Sequence, residues 1–340
     1  MAQKNLNLHN AKRAKNDEFY TQLSDIEKEM AYYKDFFKGK VVYCNCDDAR
    51  ESNFFKFFSN NFESLGLKKL IATGYKADGK GVKVVYKGDK NGRFMADGEE
   101  VAVTELEGNG DFRSEECIEL LKECDVVVTN PPFSLFREYV AQLMEYGKKF
   151  LIIGNMNAIT YKEIFPYIKN NELWMGIHSN KTMDFGMPNT YEKWDRIENG
   201  IKIGKVPAIS WFTNIPHNHR NTPLDLFRKY NETDYPKYEN YDAIEVSKVA
   251  DIPMDYDGVM GVPITFLDKY CPTQFEILWL ASGHSKTTMP KDIAEMLNAD
   301  FEMKSKENTG NGYAILDRHQ LYHRILIRRK KAEPIVEDNK

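Results

Sequence analysis

Three consecutive valines, Val126, Val127 and Val128, run into Thr129-Asn130-Pro131-Pro132-Phe133-Ser134, and no other stretch limits the fold as sharply. A β-branched run that is apolar at every position fits a strand covered on both faces, as in a parallel sheet packed between helices. The two prolines end the ladder because neither carries a backbone N–H, and Pro131 holds Asn130 extended. Ligands of open α/β folds bind at the carboxyl edge of such a sheet. There the Asn130 carboxamide oxygen and the Pro131 carbonyl can point the same way. They form a pair of acceptors suited to a group with two protons, an exocyclic amine. Phe133 offers a ring to stack on the plane that carries the amine. The plainer reading is a turn that ends a strand. Strand, amide, double proline and aromatic in one run favour chemistry.

The rest of the chain supplies a setting for that turn. Its 340 residues, 42% of them hydrophobic, allow one large α/β domain and a smaller appendage. The longest apolar stretches, 150–154 and 277–281, are too short to span a bilayer, and the polar N-terminus has no signal-peptide core. The expectation is therefore a cytoplasmic protein with no membrane partner. Five cysteines include Cys44 and Cys46 about Asn45, read as packed, reduced thiols on a buried strand. No metal is expected, because nothing elsewhere supplies the missing ligands. The net charge of −4 argues against a uniformly basic nucleic-acid binder, yet local patches remain. Lys4, Lys12, Arg13 and Lys15 lie in a leading segment without acids, and Arg324, Arg328, Arg329, Lys330 and Lys331 crowd the end. Each run alone is more often a solvated tail than a DNA contact; only beside a base-binding pocket does it suggest phosphate binding.

Local patterning predicts βαβ rhythm. Ser24 is read as the cap of a helix that runs through Ile26, Met30, Tyr33 and Phe37 to Gly39. A strand over 40–46, a helix opened by Ser52-Asn53, and a strand over 69–73 follow. Short alternating segments from Gly81 to Val103, broken at Asp89-Lys90-Asn91-Gly92 and Asp97-Gly98, predict an inserted hairpin. A helix from Ser114 to Cys124, the valine strand, a helix over 135–146 and a strand over 150–154 resume the alternation. Beyond Asn155 it weakens. Strands are expected at 173–177, 208–213, 261–266, 275–281 and 322–327, and residues 214–242 read as loop or recognition surface.

Three further stretches carry candidate binding residues. In Lys15-Asn16-Asp17-Glu18-Phe19-Tyr20-Thr21 a carboxylate and two rings make a place for a sulfonium or a zwitterion, or else an ordinary helix entry. Tyr43-Cys44-Asn45-Cys46-Asp47-Asp48 with Ser52-Asn53-Phe54 stands where a doubly wound sheet puts a nucleoside, or is a solvated strand end. In Gly110-Asp111-Phe112-Arg113-Ser114 either Asp111 or Ser114 can cap the next helix. Asn214, His217 and Arg220, on the loop after Trp211-Phe212-Thr213, can read base edges or bind phosphates.

Asn130-Pro131-Pro132-Phe133 resembles the catalytic tetrapeptide of methyltransferases that act on adenine amines in DNA. Together with the stretches above, Gly261-Val262-Pro263-Ile264-Thr265-Phe266 and Arg324-Ile325-Leu326-Ile327-Arg328, it is similar to the EcoRI-type DNA adenine methyltransferase family from about Asn16 to Arg329. The resemblance implies a doubly wound, mostly parallel, Rossmann-like methyltransferase sheet with an inserted hairpin and a C-terminal α+β recognition region. It implies S-adenosylmethionine as cofactor, held by Phe19, Tyr20, Thr21, Asp47, Asn53, Asp111, Phe112 and Asn130. Catalysis falls to Asn130, Pro131, Pro132 and Phe133, and double-stranded DNA to Lys12, Arg13, Lys15, Asn214, His217 and Arg220. The chain departs from the wider pattern in two places: the glycines after the first strand are absent, and the strand Leu70 to Tyr75 ends without the acid that holds the ribose. Thr73 or Tyr75 would have to substitute. The expected layout is a flexible basic arm (1–16), a donor-binding catalytic core (17–155), the rest of the sheet with a target-recognition region (156–331) and a tail (332–340). A separately encoded restriction endonuclease would be the natural companion; oligomeric state and DNA site stay open. RNA adenine, a protein glutamine amide, or cofactor and DNA binding without turnover are the alternatives.

Overall fold

The structure is a computed structural model that describes residues 19–46, 49, 52–77, 79–88, 102–188, 191–308 and 310–330. The chain divides into two compact units, Met1–Ala158 with Leu173–Ile215, and Ile159–Glu172 with Pro216–Lys340.

The first unit carries an eleven-stranded sheet. In chain order its strands are β1 (Tyr20–Thr21), β2 (Val41–Cys44), β3 (Lys69–Gly74), β4 (Val82–Tyr86), β5 (Ala102–Glu105) and β6 (Val126–Thr129). They continue as β7 (Lys149–Asn155), β8 (Trp174–Met175), β9 (Lys181–Met187), β10 (Arg196–Glu198) and β11 (Ile201–Thr213). The spatial order is β1-β9-β11-β7-β6-β2-β3-β4-β5, with β8 and β10 also paired to β11. The centre, β7-β6-β2-β3, is parallel. Antiparallel strands extend it on both sides.

Helices α1 (Leu23–Met30), α2 (Asn53–Asn60), α3 (Glu115–Glu123) and α4 (Phe136–Glu145) sandwich that centre. Val126 and Val128 share a core with Ile26 and Met30 of α1 and Phe54, Phe57 and Phe58 of α2. Val127, pointing the other way by strand alternation, belongs with α3 and α4. On that side Phe136 packs on Phe212 at 4.9 Å between ring centroids. It also lies so near Gly154 that a Cβ there would meet it at 2.5 Å. All three valines are fully buried, as the uninterrupted apolar run implies.

The chain passes from β2 through α2 to β3 on one side, then returns through α3 to β6 on the other side of β2. Strand order therefore reverses between β2 and β6, and this topology opens a ligand crevice outside their carboxyl ends.

Several local expectations change. The first helix begins at Leu23, capped at Gln22, whose carbonyl accepts from Asp25 and Ile26 N–H, so Ser24 lies inside the first turn and is not the cap. It ends at Met30, and Lys34–Phe37 forms a separate 3-10 turn. The inserted hairpin is β4 and β5, joined to the edge of the main sheet; residues 89–101 between them lie outside those described. Strand β11 is thirteen residues long and starts well before position 208.

The second unit is built on the sheet β12 (Ile244–Glu245), β13 (Met260–Pro263), β14 (Phe275–Ala281) and β17 (Arg324–Arg329), ordered β12-β13-β17-β14, with a small hairpin β15 (Ile315–Leu316) and β16 (His319–Gln320). Arg324 is bound to the buried Glu245 at 2.9 Å and Arg328 to Glu276 at 2.9 Å. These two cations of the closing run therefore serve the fold. Among the described residues no helix is long and apolar enough to cross a membrane, and no group of three or more His, Cys, Asp or Glu could hold a metal ion.

Candidate active site

β6 delivers Asn130 to the crevice, 7% exposed. Its Nδ2 donates to the Phe19 carbonyl oxygen at 2.6 Å. That acceptor fixes which way the carboxamide lies, because only the amide nitrogen can donate. Oδ1 is left buried, with no hydrogen-bond partner among the described residues. An unpaired buried acceptor costs about 1–3 kcal/mol, so its place in a ligand crevice calls for a donor. A second such atom stands on the adjoining strand: Thr21 is 1% exposed and its hydroxyl is also unpaired.

That strand, β1, is held over the crevice from three directions. It pairs with β9, Tyr20 opposite Gly186 and Thr21 opposite Phe185. Asn130 holds the Phe19 carbonyl, and Asn53 Nδ2, at the start of α2, donates to the Thr21 carbonyl at 2.7 Å. Ser52 makes this possible by capping α2, accepting from Phe54 N at 3.2 Å and Phe55 N at 3.4 Å. The Phe19 ring sits edge-on to Phe133 at 5.9 Å and Tyr191 at 5.5 Å. The turn at Asn130–Phe133 and the stretch 19–21, far apart in sequence, thus form one cluster.

The ends of β2 and β6 are tied directly. The Thr129 hydroxyl donates to the Asn45 carbonyl, and the Tyr139 hydroxyl donates to Asn45 Oδ1. Burial pushes the Tyr139 phenol well above its ordinary pKa, so it stays a donor. Where glycine is usual, Cys46 turns the chain with φ +68. That conformation costs a non-glycine residue roughly 1–2 kcal/mol. The bend therefore survives the missing glycines, at the price of local strain.

At the end of β3 the turn before α3 is pressed close. Gly110 has φ +81, and a Cβ there would lie 2.4 Å from the Gly74 carbonyl. This seats Asp111, whose carboxylate accepts from Arg113 N and Nε at 2.9 Å and from Nη2 at 2.7 Å. Arg113 holds the Asp111 carboxyl below the usual range. Ser114, not Asp111, caps α3, accepting from Cys117 N at 3.3 Å. Phe112 is buried, edge-on to Tyr139 at 5.0 Å. Thr73 turns inward to Tyr43 at 2.8 Å and is 1% exposed, which leaves Tyr75 as the less buried side chain at that strand end.

Residues 7–330 match the family described as adenine-specific methyltransferase EcoRI. The chain is 52% identical over 293 residues to the type II methyltransferase M.EcoRI of Escherichia coli, covering 81% of this chain and 89% of that protein. It is 45% identical over 276 residues to M.MpnI of Mycoplasma pneumoniae and to M.MgeORF184P of Mycoplasma genitalium, both type II methyltransferases, covering 79% of this chain and 83% and 84% of theirs.

The chain belongs to the EcoRI adenine-specific methyltransferase family.

For this methyltransferase the crevice collects Phe19, Thr21, Asn53, Asn130 and Phe133 through the contacts above. Asp47, Lys12, Arg13 and Lys15 lie outside the described residues. Asn214 is not brought to the crevice. Its Oδ1 accepts from Phe150 N at 2.9 Å and its Nδ2 donates to the Lys148 carbonyl at 2.8 Å, at the start of β7 and so at the opposite edge of the sheet. Bonded to the backbone at both ends, the carboxamide secures the end of β11. His217 and Arg220 belong to the second unit, where Arg220 donates to Asn171 Oδ1 at 2.8 Å.

Three supporting features are absent from the sequence reading. Glu29, fully buried, accepts from Ile177 N at 2.8 Å, His178 N at 2.9 Å and the Tyr33 hydroxyl at 3.2 Å. Tyr33 is one helical turn away, but nothing local marks Ile177 and His178, which are 148 and 149 positions away. Tyr139 as the holder of Asn45 is equally non-local. The β10–β11 hairpin was legible: Asn199-Gly200 between alternating apolar residues is the strongest short-range signal for one, and both residues have positive φ.

Proposed function

We propose that the chain transfers the methyl group of S-adenosylmethionine to the exocyclic N6 amine of an adenine extruded from duplex DNA. The observation that carries this reading is the orphaned Asn130 Oδ1, a buried acceptor in the crevice of an adenine-specific methyltransferase. An amine stacked in a helix cannot meet a methyl group in line, so the base must leave the stack, at a few kcal/mol.

The donor supplies an electrophilic methyl on a sulfonium. The residues that fit it are Phe19, Tyr20 and Thr21 over the crevice, Asn53 and Asp47 after β2, and Asp111 with Phe112 between β5 and α3. The unpaired Thr21 hydroxyl and the rings about Phe19 suit a polar, cationic methionine moiety. Asp111, already oriented by Arg113, suits an amine of the donor's base. For the target, Asn130 Oδ1 and the Pro131 carbonyl accept the two amine protons and draw the nitrogen lone pair out of conjugation. The hydrogen bond from Asn130 Nδ2 to Phe19 stops the amide from turning over, so the acceptor is aimed before the base arrives. Pro132 fixes the turn and Phe133 stacks on the extruded ring. Once methylated the amine is acidic and gives up its proton without a dedicated strong base. Lys12, Arg13 and Lys15, with His217 and Arg220, are assigned to DNA phosphates and base edges.

A labelled-methyl assay on duplex DNA, RNA and protein tests this. Label is expected only in duplex DNA, recovered as N6-methyladenine. Label in RNA or on glutamine, or tight binding of donor and DNA without transfer, would replace the reading.

A further inference from the structure

We infer that the β10–β11 hairpin is a wedge that enters the duplex beside the target adenine and keeps the vacated stack open, a deepening that rests on the extrusion reading above. Pairing of β11 with β7 stops at Ile209 opposite Asn155, the carboxyl end of β7. The part of β11 from Ile201 to Val206 therefore runs past the catalytic edge of the parallel strands, by roughly 25 Å at ~3.3 Å per residue. It does not run alone. β9 pairs along this overhang, Met187 opposite Lys202 and Met183 opposite Val206, and β1 pairs on β9. Through Phe19 the overhang is bonded back to Asn130. An antiparallel arm is thus built onto the crevice where the base would be received.

The end of the arm is a tight hairpin, β10 paired with β11 and closed by Asn199-Gly200, whose Glu198–Ile201 pair projects beyond the last β9 pair, Met187 with Lys202. Its side chains have the wrong polarity for a solvent-facing tip. Ile197 is 58% exposed, Ile201 54% and the neighbouring Trp194 44%. Residues directly across a pair share a face, so Ile201 lies with Glu198, and Ile197 with Lys202 on the opposite face. Both faces of the tip therefore present a branched apolar group. Two apolar faces suit a gap between stacked bases, as with the apolar side chains that other DNA-bending proteins insert. The tip is also held stiff. Arg196 donates to Glu198 on its own strand and reaches across β11 to Asp184, both at 2.6 Å. Between the inner face of the tip and the crevice lies a cavity of about 460 Å³, bordered by Tyr20, Asn53, Gly186, Glu198 and Ile201. The wedge and the proposed donor site thus share walls.

The test uses the full chain, with the site that wild type methylates identified by sequencing. Ile197→Ser and the pair Ile197→Ser, Ile201→Ser are compared with wild type on that duplex and on the same duplex with the target adenine opposite an abasic position. Because Ile201 touches Gly186, the single Ile197 variant guards against misfolding, with thermal melts and donor binding as controls. Ile197→Leu should behave as wild type. On the paired duplex kcat/KM is expected to fall by roughly tenfold or more, the scale of one apolar contact to an opened step, and to recover on the abasic duplex. Unchanged activity on the paired duplex, or an equal loss on both, overturns the wedge. An equal loss with a change in oligomeric state would assign the tip to a second copy of the chain. If sequencing finds no adenine that wild type methylates in duplex DNA, the extrusion reading fails instead, and the two failures are told apart.

Discussion

Replacing Asn130 with alanine removes two separable things. The first is the 2.6 Å hydrogen bond to the Phe19 carbonyl, which anchors β1 over the crevice. Its loss leaves a carbonyl short of a partner, about 1–3 kcal/mol, or a melting temperature lower by roughly 2–4 °C per kcal/mol for a unit of this size. The second is Oδ1, which has no partner among the described residues; its burial costs stability, so its removal offsets part of that loss. If that atom accepts an amine proton in the transition state, its removal should cost about 3–4 kcal/mol of barrier, the scale of one oxyanion-hole donor, or roughly 10²–10³ in kcat. The assay is single-turnover methyl transfer on duplex DNA, with donor affinity and a thermal melt measured on the same preparation. A folded variant that keeps more than about a tenth of wild-type turnover would refute the reasoning. So would a loss of donor binding as large as the loss of rate, because Asn130 would then be holding the donor.

Ser52→Ala should lower the melting temperature by a few degrees through a lost helix cap of about 1 kcal/mol, read by calorimetry. Gly154→Ala drives a Cβ into the Phe136 ring and should destabilise by about 1–3 kcal/mol, measured by urea unfolding. Asp111 has a depressed folded pKa, so the stability it contributes is present above its unfolded value near 3.8 and is lost as pH falls through the folded value. Arg113→Gln removes the cause of the depression and should move that acid loss, followed by melts across pH, upward. Burial and the neighbouring His284 hold His323 down to about 4, so its unfolded form binds the proton more readily than the folded one. Stability of the second unit should therefore decline as pH falls from about 6.5 to about 4, and His323→Phe should flatten that slope.

How much of this was written locally decides what a sequence could reveal. Val126 to Val128 marked the buried parallel strand, and Asn130-Pro131-Pro132 marked where it ends, because proline and β-branching act on their own residues. The antiparallel extension was harder to see. Strand β11 contains Pro207 and a left-handed Ala208 (φ +58), which break its alternation, so only 208–213 read as a strand. Asn214 shows a role that sequence does not signal: tertiary pairing ties both ends of its amide to the backbone at Lys148 and Phe150. The union of Phe19 with Asn130 depends on 111 residues of intervening chain, and no periodicity encodes it.

A structure of the chain with a donor analogue and its DNA site would test the central claim most directly, through one distance, Asn130 Oδ1 to the target adenine N6. The account expects about 2.7–3.2 Å, with Nδ2 still on the Phe19 carbonyl. An adenine amine out of reach of Oδ1, or an amide turned so that Oδ1 bonds to protein, would contradict it.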